Sequence, residues 1–289
     1  LLPAANAASY AFSWALPTGT DVQPYGIAID SAGYIYAVDN RAYGYWKYTP
    51  GGALLSRWGS PGHLEGEFSY PKGIAINSST YVYIADSDNN RIQVFNPGGS
   101  FVTRWGSSGP ENGKFSQPYG VAVNSSGYVY VTDRWNNRVQ VFTRDGTFLQ
   151  AINKSGGGAG SGNGEFNGPT GIAVNSTGYV YIADSDNERI QVLDRSGAFV
   201  RAWNKSGGGA GSSDGAFNDP RGIAINSSGY VFVADYGNHR VQVFTPSGTF
   251  VRKFGSSGQG NGQLNYPTDV AVNSSNYAYV ADNGNHRIQ

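Results

Sequence analysis

One phrase restarts six times along this 289-residue chain, and a chain written this way folds as copies of one unit packed against each other. The copies begin at Pro24, Pro71, Pro118, Pro169, Pro220 and Pro267, at spacings of 47, 47, 51, 51 and 47 residues. The copy from Pro71 reads Pro-x-Gly-Ile-Ala-Ile-Asn-Ser-Ser, then Tyr-Val-Tyr-Ile-Ala-Asp, Asn-x-Arg-Ile-Gln-Val-Phe and Phe-Val-Thr-Arg-Trp-Gly. Such a period marks a stacked array or a closed ring. It also divides the residues: those common to all copies build the unit, and specific chemistry is sought in the departures.

Each unit carries four stretches with strand character. In the second, Gly73–Ile76 is short and apolar, as a strand buried on both faces requires. Tyr81–Ala85 is aromatic and β-branched, Arg91–Phe95 alternates, and Phe101–Trp105 ends in an aromatic residue before Gly106. No stretch has a helical period. Four strands in each of six units predict an all-β, six-bladed β-propeller of four-stranded blades, one domain over residues 1–289. The last copy stops at Gln289, inside its third strand, and Tyr10–Trp14 resembles Phe250–Phe254. Residues 9–16, after a tail over 1–8, are therefore expected to supply the outer strand of the last blade, closing the ring and removing its open edges. The stop at Gln289 also suggests that more sequence follows, and the lack of any methionine suggests a processed or partial chain.

Composition narrows the partners. Charged residues are 14% of the chain, against about 25% in ordinary soluble domains, and the formal net charge is zero. That argues against nucleic acid, whose affinity comes from clustered Lys and Arg. With no cysteine there is neither a disulfide framework nor a thiolate metal site. No apolar run approaches the ~18 residues of a membrane-spanning helix, so no membrane insertion is expected. Ala5-Asn6-Ala7 has the small residues of a signal-cleavage site, without the basic and apolar stretches that precede one.

The segments Asp86-x-x-Asn89-x-Arg91-Ile92-Gln93-Val94-Phe95, Asp133 to Phe142 and Asp235 to Phe244, with the preceding Pro-x-Gly-Ile-Ala, resemble the NHL repeat over nearly the whole chain. The first unit departs: Asp39 is kept, but Ala42 and Gly44 stand where Asn and Arg belong. The Asn-Ser-Ser-Gly flavour, low charge and abundant Tyr are similar to NHL arrays of archaeal and bacterial surface proteins. The resemblance implies the propeller fold but no single function. The family includes RNA-binding and protein-binding propellers, receptor ectodomains and a zinc-dependent amidating lyase.

Recurrent residues read as structure. Asp39, Asp86, Asp133, Asp184, Asp235 and Asp282 end the second strand of every unit. Each is expected to accept backbone hydrogen bonds in the following loop and to balance the Arg five residues on. His239 and His286 share one slot in adjacent units and form an alternative metal pair, short of the three protein ligands of a catalytic zinc, with His63 in a different loop. Asp184-x-Asp186-Asn187 lacks the Gly and distal Glu of a calcium loop. Gly211-Ser212-Ser213-Asp214-Gly215 has the spacing of a nucleophile elbow but no helix to follow. No cofactor is expected.

Glycosylation acceptors Asn-x-Ser/Thr occur at Asn77, Asn124, Asn153, Asn175, Asn204, Asn226 and Asn273. Five fall in the turn between first and second strands, on one face of the disc, where the first unit has Asp30-Ser31-Ala32-Gly33. They favour an extracellular or cell-surface location and leave the opposite face for binding. There the repeat varies: position x of Pro-x-Gly is Tyr25, Lys72, Tyr119, Thr170, Arg221 and Thr268 in turn, and the neighbouring loops display Arg134, Trp135, Tyr236 and Tyr43. Aromatic and Arg side chains are contact residues. The expected function is a non-catalytic interaction or structural module that binds protein, a cell-surface glycan or another copy of itself through Trp135, Arg134, Tyr236, Tyr25, Tyr119 and Arg221. The alternative is a metal-dependent lyase or hydrolase with its site at the channel mouth.

Overall fold

The computed structural model describes the backbone of residues 16–17 and residues 22–153, 157–204 and 210–289 in full. Six four-stranded antiparallel sheets form the blades of a propeller. In the third, the chain runs outward from the axis through Pro118–Val123, Val129–Asp133, Arg138–Phe142 and Phe148–Ile152. Inner strands are apolar because neighbouring inner strands cover them, whereas outer strands alternate half-buried and exposed residues. In the sixth blade the outer position is taken by Leu16–Pro17, antiparallel to Arg287–Ile288. Tyr10–Trp14, the segment expected there, lies outside the described residues.

No blade buries its faces alone. The apolar side chains gather instead into six clusters, one at each blade–blade boundary. Between blades 2 and 3, for example, Tyr83, Ile92 and Val94 meet Phe115, Val129 and Phe142. Stacking thus provides the core, which is why the period dominates the sequence. Phe68, Phe115, Phe166, Phe217 and Leu264, from the connections between blades, are buried plugs in these clusters.

The recurrent aspartate is the polar centre of each blade, with one correction to the sequence reading. Asp133 accepts from the Ser116 N–H (2.7 Å), a residue of the preceding connection rather than the following loop. Its other oxygen takes the Asn136 amide (2.8 Å), Arg138 Nε (2.8 Å) and Gln140 Nε2 (3.1 Å). Arg138 and Gln140 then donate to the carbonyls of Glu111 and Lys114, so the network sews the long connection onto the blade it precedes. Burial of the loop plug explains the difference, because the connection must lie down over the strand ends and its backbone needs partners there. In blade 1, with no arginine, Asp39 instead accepts three backbone N–H groups, from Gln23, Arg41 and Ala42. The carboxylate is still satisfied and the blade survives.

Candidate functional site

The second-to-third-strand loops and the blade connections lie on one face, around the mouth of the central channel. Six side chains named from the sequence form one path of contacts across it. Trp135 is 55% exposed, donates from Nε1 to Gln117 Oε1 (2.9 Å) and packs its ring 5.0 Å from the Arg134 guanidinium. Arg134 lies 5.4 Å from the Tyr119 ring. Tyr119 meets Tyr25 edge-on, ring centres 5.6 Å apart, with the two hydroxyls hydrogen-bonded to each other. Arg221 Nη1 donates to the Tyr25 hydroxyl (3.2 Å), and its guanidinium rests 3.3 Å above the Tyr236 ring. Blades 3, 1 and 5 thus meet over the axis. Tyr119, expected as an open contact, is only 4% exposed and forms the floor of the mouth, because a large ring at position x of an inner strand reaches the axis rather than solvent. Burial holds both tyrosine hydroxyls protonated, raising their titration above the usual tyrosine range.

Two residues that belong to this site were not singled out from the sequence. Lys72, at position x of blade 2, holds its Nζ 4.8 Å over the Tyr119 ring. Burial, then the nearby Arg134 and Arg221, pull its titration down to about 8. Asp269 stands where the other five blades have the glycine of Pro-x-Gly. Reading the third position of that motif as closely as the second reveals it. Below the mouth the channel holds a cavity of about 70 Å³, lined by inner-strand residues of all six blades. It has room for a few waters or one small ionic group, well short of the ~300–1,000 Å³ of a drug-sized ligand pocket. The channel is narrow because inner strands touch: a Cβ on Gly73 would lie 2.4 Å from the Tyr119 carbonyl oxygen.

Asp269 puts a carboxyl group in this wall. Its Oδ2 accepts from the Ile27 N–H of blade 1 (2.9 Å) and its Oδ1 from the Val270 N–H (2.9 Å), bridging the boundary where the ring closes. Burial pushes its titration up to about 7. An unfolded Asp titrates near ~3.9. The folded state therefore retains a proton that the unfolded state has lost between about pH 4 and 7, and the group's contribution to stability falls as pH rises through that window. Asp269→Asn keeps an acceptor for Ile27. Its stability relative to wild type is expected to improve steadily from pH 4 to 7 in denaturant titrations, whereas a constant gap would rule out this proton.

The alternative metal pair is structurally employed. His239 Nδ1 accepts the backbone N–H of Tyr266 (3.1 Å), and His286 Nδ1 donates to the Val22 carbonyl (2.8 Å). Asn90, Asn137 and Glu188 occupy the same left-handed slot and likewise accept the backbone N–H of Gln117, Gly168 and Asp219. The slot is a latch between adjacent blades, and histidine is one of several side chains that fill it. His63 binds Asn89 elsewhere (2.6 Å), and among the described residues no three His, Asp or Glu side chains are grouped to share a metal ion. Asp186 faces Arg134 at 3.8 Å, and Asn187 donates to Gly160 and Asp184.

On the opposite face the five repeated acceptor asparagines make the turn itself. Asn124 Oδ1 accepts the N–H groups of Ser126 (3.0 Å) and Tyr128 (2.9 Å), and Asp30 does the same in blade 1. Asn77, Asn175, Asn226 and Asn273 repeat the arrangement. Asn153 and Asn204 lie instead in the glycine-rich connections on the mouth side, with Asn153 exposed.

A family profile described as NHL repeat matches residues 68–95, 115–142, 166–193, 217–244 and 264–289, the Asp-Asn-Arg-Gln networks of blades 2 to 6. The chain belongs to the NHL-repeat propellers. Blade 1, which lacks the arginine, lies outside the match yet has the same four strands. Protein brain tumor of Drosophila melanogaster is 35% identical over 94 residues, 32% of this chain and 9% of its own length. NHL repeat-containing protein 3 of Homo sapiens is 37% identical over 83 residues, 28% of this chain and 23% of its own. The matches thus cover less than a quarter of either relative. A catalytically inactive virginiamycin B lyase of Staphylococcus aureus, solved with quinupristin, shares the fold at TM-score 0.65 and 18% identity. That match covers 96% of this chain and 84% of its own. NHL propellers generally act as protein-interaction modules. No described helix of this one is long and apolar enough to cross a membrane.

Proposed function

We propose that this NHL propeller is a non-catalytic, extracellular interaction module that docks a protein partner on its channel-mouth face. The observation that supports this most is the path Trp135–Arg134–Tyr119–Tyr25–Arg221–Tyr236. Every member departs from the repeat, and every member lies on one face, where the shared residues are already committed to the blades. Trp, Tyr and Arg are the residues that dominate binding energy at protein interfaces. The polar networks and both histidines of the alternative metal pair serve the scaffold, so the mouth is where specificity can reside. The acceptor asparagines support an extracellular setting. Asn153 and Asn204 lie in the blade connections rather than in the repeated turns, so glycans are expected there first.

The test is photo-crosslinking of the native-source chain followed by peptide mass spectrometry. Trp135→p-benzoylphenylalanine is expected to capture a protein partner, and the same change at Tyr128, on the turn face, to capture none. Glycan mass increments at Asn153 and Asn204 would accompany it. Capture from position 128 alone, on a chain bare of glycan, would overturn both the face and the setting.

A further inference from the structure

We propose that the channel mouth is a carboxylate-binding site, in which Lys72, Arg134 and Arg221, with the hydroxyls of Tyr25 and Tyr119, receive a terminal or side-chain carboxylate of the partner protein. This rests on the reading that a protein docks on this face, and it names the chemistry of the group that enters the channel. Three cations from blades 2, 3 and 5 converge on two neutral rings, Lys72 and Arg134 over Tyr119 and Arg221 on Tyr25. Apart from Asp269 in the cavity wall, the carboxylates that balance them lie further out. The side chains of Arg134 and Arg221 are 17% and 13% exposed, against 41% and 30% for Asp186 and Asp219. Asp88, on the rim, is exposed and accepts from Gln117 (2.9 Å). Water screens the outer carboxylates more than the inner cations, so while Asp269 is protonated the potential inside the mouth is positive although the formal charges around it cancel.

One unmet donor points the same way, and one cation has no close counter-ion. Arg134 Nε is buried with no hydrogen-bond acceptor among the described residues. Among the described residues no carboxylate lies within ion-pair distance of Lys72 Nζ, which sits over the Tyr119 ring with Asp88 acting on it from further out. A buried donor left unpaired is costly, and a carboxylate carries two acceptor oxygens suited to a guanidinium and an ammonium together. The cavity of about 70 Å³ beneath the two arginines, lined by Lys72, Tyr25 and Tyr119, admits a group of that size. The acidic rim opposes further negative charge, which selects a single carboxylate over a phosphate-rich polymer. Lys72, held down at about 8, regains its full charge when an anion sits beside it. Asp269 lines the same cavity and repels an anion once ionised, above about 7. Both groups therefore weaken binding as pH rises from about 6 to 9.

The test uses the whole chain with sodium acetate as probe and sodium chloride at equal ionic strength as reference. Lysine amines are labelled by reductive ¹³C-methylation and read by NMR. Acetate is expected to raise the titration of Lys72 saturably and to leave that of Lys114 unchanged. Arg221→Gln should weaken the effect by about tenfold or more. Tyr25→Phe, which removes only a hydroxyl, should weaken it less and guards against a misfolded Arg221 variant. A peptide with a free C-terminus, its amidated twin and an end-capped peptide with one internal Glu then distinguish terminal from side-chain carboxylates. Identical behaviour in acetate and chloride overturns the proposal even if position 135 crosslinks a partner. Acetate binding with crosslinks only on the turn face would leave the carboxylate site standing and remove the docking reading.

Discussion

Arg138→Met is expected to destabilise the propeller by about 3–5 kcal/mol, read as a lower urea midpoint with fluorescence and circular dichroism moving together. The size follows from what is left behind. Asp133 is fully buried, and among the described residues Arg138 is its one cationic partner, bound through Nε at 2.8 Å. Removing the arginine leaves a buried carboxylate with only neutral donors and strips the Glu111 and Lys114 carbonyls of one donor. Methionine fills part of the volume, so the loss reports charge and hydrogen bonding more than a cavity. Blade 1 shows the limit of the argument: with Gly44 in the arginine position, Asp39 survives on three backbone donors. A loss under about 1 kcal/mol would mean that blade 3 rearranges to the blade 1 solution, with Asp133 collecting extra backbone N–H groups.

Gly171→Ala is expected to cost about 3 kcal/mol or more, although it adds a single methyl group. A Cβ there would stand 2.0 Å from the Arg221 carbonyl oxygen and 3.0 Å from the Gly222 Cα, both backbone atoms of the neighbouring inner strand. No side chain can turn away to make room, so the blades must part, and a closed ring passes that displacement to every boundary. Gly113→Ala is the control: its φ of +82° is left-handed, but nothing among the described residues lies within 4 Å of the added carbon. It should lose only the local strain, about 1–2 kcal/mol. If the two variants melt alike, close strand approach is not what reserves these positions for glycine. Asp269 shows how the ring accommodates its one exception, by using the side chain as an acceptor for the Ile27 N–H across the closing boundary.

The sequence by itself determined the architecture, because a period of 47 to 51 residues with four strand-like stretches leaves a propeller as the arrangement in which every unit buries its faces. It also determined the structural role of the repeated aspartates, whose partner arginine lies at a fixed short separation: local spacing carries local contacts. The tertiary structure alone decided the rest. That Asp133 is held by Ser116, 17 residues earlier, depends on how a connection lies down over its blade. That the histidine slot latches one blade to the next depends on a partner 27 residues away in the following unit. The mouth is the clearest case: Tyr25 and Tyr119, separated by 94 residues, share a hydrogen bond, and Arg221 joins them from 196 residues beyond Tyr25. Ring closure fixes which variable positions face one another across the axis. Periodicity announces that the ring exists, but three-dimensional placement turns scattered departures from the repeat into one site.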